Sequence, residues 1–347
     1  MKLSVIVPVY NMAAEGKLAY CLDSLLGQTI SDYEVIAVND ASTDNSWEIL
    51  QEYKERYPDK FRIHALQENL RQGGAKNVGL SLSRGEFIGF VDSDDWVTPD
   101  CFEKLLAKAD ETGADVVACD FCYVYEHTMQ PTESVACNLP EQVGELTHEK
   151  RVSLFLHPGA LVTKIYRREL FFDEPFAFPE HMFFEDNATG IELLRRAKHF
   201  EYIQEPMYFY YQHNTSTVHV ITVERCKDRL EAMRIMYRYA AEKGYLEEFF
   251  DELEYKFTNL FYQNTLFSYM QTSKKTNFKF IRDMGREMKE YFPDFQQNPY
   301  YVKQVHPEEK KLMKMQQQST LLFVMYYRTL YFYRNLRKNS RERKRKK

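Results

Sequence analysis

The sequence contains no apolar run long enough to cross a lipid bilayer. Its longest late run, residues 321–327, is LLFVMYY, whereas a membrane-spanning helix needs about 20 apolar residues. The N-terminal segment predicts neither a signal peptide nor a transmembrane helix, because one lysine precedes a strand-like run that Pro8 and Asn11 interrupt early. These absences predict a cytoplasmic protein.

Two phosphate-binding signatures are also missing. The first strand-like run leads into PVYNMAAEG rather than GxGxxG, and no Walker motif occurs in the chain. Such glycine patterns allow the backbone to approach a pyrophosphate closely. Their absence argues against a dinucleotide-dependent dehydrogenase and against a P-loop kinase.

Cysteines are few and do not form a framework. Cys119 and Cys122 make a single CxxC in the strand-like segment DVVACDFCYVY, with no second Cys/His pair at zinc-finger spacing. We expect buried structural cysteines rather than a metal site, and no disulfide framework.

Composition and charge favour a globular protein with an acidic body. The chain of 347 residues is too long for one ordinary core, so two or three units are expected. The formal net charge of −5 is unevenly spread, because residues 334–347 hold nine Lys/Arg and one Glu. An acidic body without a recognition motif argues against nucleic acid as a partner.

The first hundred residues alternate strand-like and helix-like patterns, which predicts an α/β fold. The β-branched apolar runs LSVIVPVY, EVIAVND, FRIHAL and EFIGFVD are separated by segments of helical periodicity. This order predicts a Rossmann-like, mainly parallel sheet flanked by helices.

The later sequence predicts a mixed region and then a helical extension. The segment FEYIQEPMYFYYQHNTSTV is interpreted as a strand, a turn and a second strand, and from Val223 onward nearly every segment is helical. We predict boundaries near residues 98, 220 and 300.

Polar residues follow several of the predicted strands. Asn11 follows the first strand, Asp40 ends the second, and Asp92 and Asp94 end the fourth. Ligands of parallel sheets bind beyond the carboxyl ends of the strands, so these side chains are expected at one edge.

The segment FVDSDDW has two interpretations. Crowded carboxylates raise one another's pKa unless a cation is present, and Mg²⁺ usually takes one or two carboxylates plus substrate phosphates, a preference that Mn²⁺ shares. We favour a metal site over a solvated turn.

Two further polar positions also keep alternatives. Glu185 and Asp186 open a predicted helix, where a carboxylate serves as a cap or dipole partner or as a general base. His213, in a polar loop after a tyrosine-rich strand, is a structural residue or a ligand of a metal or a phosphate.

Taken together, these motifs resemble those of inverting family 2 glycosyltransferases of the GT-A fold. The resemblance covers roughly residues 2–220 and rests on SVIVPVYN, VNDASTDNS, NLRQGGAKNVGL, FVDSDDW, FFEDN and YYQHNTS, in that order. It implies transfer of a sugar from a nucleotide diphosphate, commonly UDP, to an acceptor hydroxyl, with inversion at the anomeric carbon.

The resemblance also implies a division of the chain. Residues 1–220 would be the GT-A domain, with a nucleotide-binding half (1–98) and an acceptor-binding half (99–220). Beyond the resemblance, the helical pattern from Val223 onward predicts a helical extension (221–300), and the composition of the C-terminal segment predicts an amphipathic helix with a basic tail (301–347).

The resemblance further implies roles for individual residues. Asp186 would be the catalytic base, with Glu185 as its less favoured substitute. Asp94 would be the principal ligand of Mn²⁺ or Mg²⁺, assisted by Asp92 and His213. The residues implied at the nucleotide-sugar donor are Pro8, Val9, Tyr10, Asn11, Asp40, Gly73, Gly74, Lys76, Asp92 and Ser93.

The sequence departs from the common pattern of that family at two positions. Ala41 stands where Gly is usual, and Lys76 stands where Arg is usual. Neither change removes a charge or a metal ligand.

The C-terminal segment, residues 320–347, combines aromatic residues with a basic run. It is a helix packed on the protein's own body, a solvated tail, or a helix on an anionic membrane. We favour peripheral contact with the inner face of the cell membrane.

The sequence therefore predicts a metal-dependent glycosyltransferase of the hexosyltransferase type. Its donor would be a UDP-sugar, and its acceptor a glycan or lipid-linked hydroxyl in cell-envelope polysaccharide synthesis. The alternatives are a sugar-nucleotide synthesising enzyme and a non-catalytic membrane-associated scaffold.

Overall fold

A computed structural model of the chain describes residues 1–212, 222–273 and 275–345. The chain divides into two compact units. The first comprises Met1–Val220 and Arg234–Glu242, and the second comprises Ile221–Met233 and Lys243–Lys347. The functional halves predicted within residues 1–220, and the boundary near residue 300, stay predictions.

The first unit is built on one sheet, which has ten strands within the described residues. The strands are β1 (Leu3–Val9), β2 (Tyr33–Asn39), β3 (Phe61–Ala65), β4 (Phe87–Phe90), β5 (Trp96–Val97), β6 (Val116–Val124), β7 (Ser134–Val135), β8 (Gly144–Glu145), β9 (Lys164–Arg167) and β10 (His199–Tyr211).

Strand β1 lies at the centre of the parallel part of the sheet. It pairs in parallel with β2 and with β4, and β3 extends the sheet beyond β2. Strand β9 is antiparallel to both β4 and β6, and β6 is parallel to β10. Because β9 is antiparallel to both of its neighbours, β4 and β6 run in the same direction. The carboxyl ends of β1, β2, β4, β6 and β10 therefore lie at the same edge.

Helices cover both faces of this sheet. They are α1 (Lys17–Leu26), α2 (Ser46–Arg56), α3 (Arg71–Leu82), α4 (Cys101–Thr112), α5 (His148–Leu156), α6 (Glu169–Phe172) and α7 (Glu185–Arg196). Every residue of β1 and β2 is buried, as expected for strands covered on both sides. The predicted alternation of strands and helices is therefore confirmed.

The two faces of the sheet have different cores. Leu18 and Leu22 of α1 pack with Val5 and other residues of the main core, and each such buried side chain contributes roughly 1.5–3 kcal/mol. On the other face α3 lies very close to β1, because a Cβ on Gly79 would be 2.3 Å from Ile6 Cγ2. This close approach fixes the position of α3 over the parallel strands.

Five of the six cysteines are buried, as the sequence predicts for structural residues. All six are free, and Cys137 alone among them is not buried. Cys119 packs in the main core, whereas Cys122 packs with Trp96 and Phe209 in a second cluster. The CxxC is therefore a strand motif whose two thiols belong to different clusters.

One prediction about the strands is wrong. The segment interpreted as strand, turn and strand forms the single strand β10, which pairs with β6 from Phe200 to Tyr211. The pairing register shifts between Ile203 and Tyr208, around Pro206. Proline has no N–H for a ladder and is tolerated at such bulges, so the chain continues rather than turns.

The second unit is helical. It contains the first part of α8 (Val223–Glu242), then α9 (Phe250–Phe257), α10 (Thr265–Thr272), α11 (Phe278–Tyr291), α12 (Pro299–Gln304), α13 (Pro307–Gln318) and α14 (Thr320–Arg345). A π-helical segment, Thr258–Asn264, joins α9 to α10. Across the parts of the chain that are described, no helix is long and apolar enough to cross a membrane.

Candidate active site

Two loops at the carboxyl edge of the sheet are joined by side-chain hydrogen bonds. After β1, the side-chain oxygen of Asn11 accepts the N–H of Thr43 at 2.8 Å, and the N–H of Asn11 donates to Ser42 Oγ at 3.1 Å. Asp44 accepts the N–H of Ala13 at 3.0 Å. The loops that follow β1 and β2 therefore meet, as the strand order predicts.

The residues just before Asn11 differ in accessibility. Pro8 and Val9 are buried within β1, whereas the ring of Tyr10 is 44% exposed. Tyr10 is therefore the residue of the three whose side chain a ligand can reach without rearrangement.

Asp40 connects β2 to the start of α3. Its side chain is buried, and Oδ1 accepts the N–H of Leu70 at 2.7 Å. Burial raises the pKa of Asp40, although hydrogen bonds from the backbone of Leu70 and Arg71 oppose the shift. The predicted donor-binding carboxylate thus also has a structural task, holding the loop that carries Arg71.

The glycine pair at the start of α3 allows close packing. A Cβ on Gly73 would lie 2.0 Å from the carbonyl oxygen of Pro179, and one on Gly74 would lie 2.2 Å from Leu70 Cβ. A side chain at Gly73 would therefore push away the segment that leads to α7. Gly73 therefore brings two site-forming segments together, and Gly74 lets Leu70 pack against the start of α3.

One turn further along α3, Lys76 forms the central ion pair of the site. Its Nζ lies 2.5 Å from Glu185 Oε1, and both side chains are buried. Burial lowers the pKa of Lys76, but the carboxylates of Glu185 and Asp92 outweigh this effect and the pKa is raised. Lys76 is therefore a charged ammonium inside the protein.

Asp92 and Asp94 form an electrostatically crowded turn after β4. Both are partly buried, and Gln72 Nε2 donates to Asp92 Oδ1 at 3.3 Å. Burial raises the pKa of Asp92 to about 7; attraction by Lys76 opposes this shift, and repulsion from Asp94 and Glu185 adds to it. Asp92 thus lies among further carboxylates as well as near the Lys76 ammonium.

The next acid, Asp95, holds the turn in place. Asp95 is 1% exposed and accepts hydrogen bonds from Tyr208 Oη at 2.6 Å and from the N–H of Tyr211 at 2.9 Å. The Tyr208 hydroxyl in turn accepts the N–H of Asp92 at 3.3 Å. The end of β10 therefore determines the backbone position of the acidic turn. Ser93, within the turn, is buried.

The first residues of α7 place two acids at this edge with different surroundings. Glu185 is buried against Lys76, whereas Asp186 is partly exposed and accepts the N–H of Asn187 at 2.8 Å. Asp186 acts electrostatically on both Lys76 and Asp92. The two acids therefore share one site with the turn after β4.

Unusual backbone conformations concentrate in the same loops. Positive φ angles occur at the non-glycine residues Asn11, Ala41, Arg71, His181 and Phe184. Such conformations cost of order 1–3 kcal/mol each and persist where the surroundings impose them. The Ala41 position, at φ 55°, gives a physical reason why glycine would be favoured there.

The carboxylates in the turn after β4 fit a hard divalent cation whose remaining ligands would come from a bound substrate. Among the residues that the structure describes, no group of three or more His, Cys, Asp or Glu side chains is arranged to hold a metal. Asp92 and Asp94 nevertheless offer neighbouring carboxylate oxygens, and Mg²⁺ is usually bound by one or two carboxylates plus substrate phosphates. His213 lies outside the described residues.

Three residues of the site and its loops were not predicted from the sequence. Gln72, Tyr208 and Arg71 all touch the site, Arg71 by placing its guanidinium 4.1 Å from the centre of the Phe183 ring. Only the positions of Gln72 and Arg71, beside the glycine pair, gave a signal. Nothing in the local pattern around Tyr208 distinguishes it from an ordinary strand residue.

A separate cavity of about 460 Å³ lies at the opposite ends of the strands. It is lined by charged residues that include Asp115, Arg167 and Arg196. Arg167 pairs with Asp115 at 3.2 Å, and Arg196 pairs with Glu192 at 2.8 Å. These internal pairs indicate a structural role for the cavity's arginines.

Comparison with protein families gives a match over half of the chain. The model described as glycosyl transferase family 2 matches residues 4–179. The putative glycosyltransferase EpsH of Bacillus subtilis (strain 168) is 32% identical over 259 residues, which cover 73% of this chain and 73% of EpsH.

Two other relatives match a smaller share. The uncharacterized glycosyltransferase YibD of Escherichia coli (strain K12) is 32% identical over 219 residues, covering 62% of each chain. The match therefore spans less than two thirds of YibD. The poly(ribitol-phosphate) beta-N-acetylglucosaminyltransferase TarS of Staphylococcus aureus (strain Mu50 / ATCC 700699) is 30% identical over 217 residues, covering 60% of this chain and 35% of TarS.

A solved structure shares the fold along nearly the whole chain. The crystal structure of S. aureus TarS 1–349 in complex with UDP-GlcNAc superposes with a TM-score of 0.65 at 24% identity, covering 95% of this chain and 92% of that one. The predicted fold class, a GT-A α/β fold with C-terminal helices, is confirmed.

We predict that Ala41→Gly increases the free energy of unfolding by about 1 kcal/mol, because glycine adopts a positive φ without a Cβ clash. The measurement is chemical denaturation of the purified chain. The matched control is Ala107→Gly in the exposed, right-handed interior of α4, which should lose about 1 kcal/mol. Equal losses at both positions would show that residue 41 is not constrained.

We predict that Lys76→Met lowers stability by about 3–5 kcal/mol, because Glu185 would remain as a buried carboxylate without its cation. Glu185→Gln combined with Lys76→Met should recover at least half of that loss in a calorimetric double-mutant cycle. Additive losses in the double variant would mean that the pair is not coupled.

Proposed function

The chain belongs to glycosyltransferase family 2, and we propose that it transfers a sugar from a nucleotide-diphosphate donor to an acceptor hydroxyl. The observation that carries the proposal is the grouping of Lys76, Asp92, Glu185 and Asp186 at the carboxyl edge of the sheet. That edge is where parallel α/β sheets bind nucleotides.

The proposed donor is a UDP-sugar. Support comes from the shared fold of TarS, whose structure was solved in complex with UDP-GlcNAc. On this chain, Asp40 and the Asn11 loop would hold the nucleoside, and Asp92 would face the ribose. The exposed ring of Tyr10 would be accessible to this donor.

The other residues that the family resemblance implies at the donor would act mainly by shaping the site. Gly73 would act by letting the segment at Pro179 approach α3, and Gly74 by leaving room for Leu70. Lys76 would hold Glu185 while its charge attracts the diphosphate. Pro8, Val9 and Ser93 are buried, so they would shape the pocket rather than bind through exposed side chains.

Asp186 is the proposed general base. Glu185 is occupied by Lys76, whereas Asp186 is partly exposed at the first turn of α7. Asp186 would accept the proton of the acceptor hydroxyl as the hydroxyl oxygen attacks the anomeric carbon. The bond to the diphosphate breaks on the opposite side, and the nucleoside diphosphate leaves with the bonding electrons.

Mn²⁺ or Mg²⁺ is the proposed cofactor, with Asp94 as the principal ligand and Asp92 as the second. Burial raises the pKa of Asp92, and repulsion from the nearby carboxylates of Asp94 and Glu185 adds to this shift. This grouping of carboxylates supports a cation there. When bound, such a cation neutralises charge that develops on the diphosphate leaving group. His213 remains a proposed third ligand.

The proposed setting is cell-envelope polysaccharide synthesis in the cytoplasm. The acceptor would be a glycan or a lipid-linked saccharide. The name of TarS, a poly(ribitol-phosphate) beta-N-acetylglucosaminyltransferase, supports transfer to a polymer. Peripheral contact of residues 320–347 with an anionic membrane is part of this proposal, because it would keep the protein beside a lipid-linked acceptor.

Release of UDP from a panel of UDP-sugars, followed by mass spectrometry with Mn²⁺ present, tests the function. The proposal requires that at least one UDP-sugar gives UDP in proportion to a glycosylated or hydrolysed product. Pyrophosphate or nucleoside triphosphate turnover without UDP release would point to a sugar-nucleotide synthesising enzyme, and binding without turnover would point to a scaffold.

We predict that Asp186→Asn lowers kcat by about 10²–10⁴-fold while the dissociation constant for UDP-sugar stays within about threefold, because base catalysis is lost and donor contacts are not. The control, Glu149→Gln, removes an acid from the first turn of α5 and should leave kcat unchanged. Near wild-type turnover by Asp186→Asn would disprove the base assignment.

We predict that Asp94→Ala removes the enhancement of UDP affinity by Mn²⁺, which should be about tenfold or more in the unaltered chain, because Asp94 would be the principal protein ligand of the cation. Calorimetric titrations of UDP with and without Mn²⁺ measure this. Asp110→Ala, a change at an exposed acid of α4, is the control. An unchanged Mn²⁺ enhancement in Asp94→Ala would contradict the ligand assignment.

A further inference from the structure

Helix α14 has an exposed apolar face. The six large apolar residues on this face, each between 43% and 61% exposed, are Leu321, Leu322, Met325, Tyr326, Phe332 and Tyr333. At 3.6 residues per turn, their positions fall within an arc of about 140°. We call this arc the outer face of α14. Exposed apolar groups this continuous mark interaction sites rather than scattered surface residues.

The opposite face of the same helix is packed within the second unit. Phe323, Val324 and Tyr327 are buried, and the rings of Tyr327 and Phe267 stack with centroids 6.0 Å apart. At the edge of the outer face, Arg328 also anchors the helix by donating to the carbonyl oxygen of Ser273 at 2.6 Å. The helix is therefore fixed on its inner side, and its outer face is a defined surface of the fold.

The sequence that continues this helix is strongly basic. Residues 334–347 contain nine Lys/Arg and one Glu, and α14 runs as far as Arg345. A helix with one apolar face and a basic continuation has the composition of segments that lie in the interface of an anionic bilayer. No described helix qualifies as a membrane span.

We infer that the outer face of α14 is a lipid-binding surface, which places the helix flat on an anionic membrane with its leucines, Met325 and aromatic rings in the headgroup region. The basic continuation attracts the helix to the anionic surface, and the apolar side chains then leave water. Tyr326 and Tyr333 suit this depth, since tyrosine has an apolar body and a polar tip.

A second copy of this chain is a poorer occupant for the outer face. A symmetric contact through α14 could bring two such basic segments toward each other, and like charges across an interface oppose association. In any other arrangement the positive charge would contribute nothing to the contact. An anionic lipid surface satisfies both the apolar face and the positive charge.

This inference rests on the proposed function only for its biological sense, since a lipid-linked acceptor would be reached from the membrane surface. Lipid binding itself does not require catalysis. Binding of UDP and binding to vesicles can therefore be measured on the same protein samples as independent properties.

The test is flotation of the full chain with vesicles of zwitterionic phosphatidylcholine alone or mixed with anionic phosphatidylglycerol. The unaltered chain should float with the anionic vesicles and remain in solution with the zwitterionic ones. The variant Met325→Gln with Phe332→Gln, at positions about 60% exposed, should lower the vesicle partition coefficient about tenfold or more.

The matched control is Val302→Gln, which places the same polar group at an exposed apolar position of α12. It should float like the unaltered chain. Circular dichroism and UDP titration should give the same values for all three proteins, so that a loss of flotation cannot come from unfolding or from a failed nucleotide site.

Two results would overturn the inference. One is equal flotation of the unaltered chain and the Met325→Gln, Phe332→Gln variant. The other is a vesicle-free oligomer, seen by light scattering, that this variant dissociates; the outer face would then be a contact between copies of the chain.

Discussion

The candidate site depends on one buried ion pair, between Lys76 of α3 and Glu185 of α7. An ammonium in the protein interior is stable only beside carboxylates, and two buried charges require close, well-oriented contact. The pair therefore fixes α7 relative to α3 and occupies Glu185. Asp186, the next residue, is left partly exposed at the edge where Asp92 and Asp94 end β4. The proposed roles of the two acids, Glu185 as the partner of Lys76 and Asp186 as the general base, follow from this contact.

The acidic turn is supported from the other side by β10. Asp95 accepts hydrogen bonds from Tyr208 and Tyr211, so the strand that leads toward residue 213 also holds the proposed metal ligands. Burial raises the pKa of Asp92; attraction by Lys76 opposes this shift, and repulsion from Asp94 and Glu185 adds to it. A cation accompanied by a diphosphate would relieve that repulsion, which is why the same geometry that is costly without a ligand suits a nucleotide-sugar donor.

The sequence predicted the parallel sheet and the edge where Asn11, Asp40 and Asp92 lie, because hydrophobic periodicity and strand order determine both. It did not predict the Lys76–Glu185 pair or the Tyr208 contact, since these join segments 109 and 113 residues apart in the chain and leave no local pattern. The predicted turn near Pro206 was wrong because a bulge accommodates the proline within β10. Site roles remain proposals drawn from geometry and family resemblance.

Anomalous diffraction at the manganese absorption edge, from crystals of the chain grown with UDP and Mn²⁺, would locate the proposed cation. We expect one strong anomalous peak next to an Asp94 carboxylate oxygen and the diphosphate, with Lys76 still paired to Glu185 and Asp186 facing the acceptor side of the site. A manganese peak away from the turn after β4, or a Lys76 released from Glu185 to bind the diphosphate alone, would contradict this expectation.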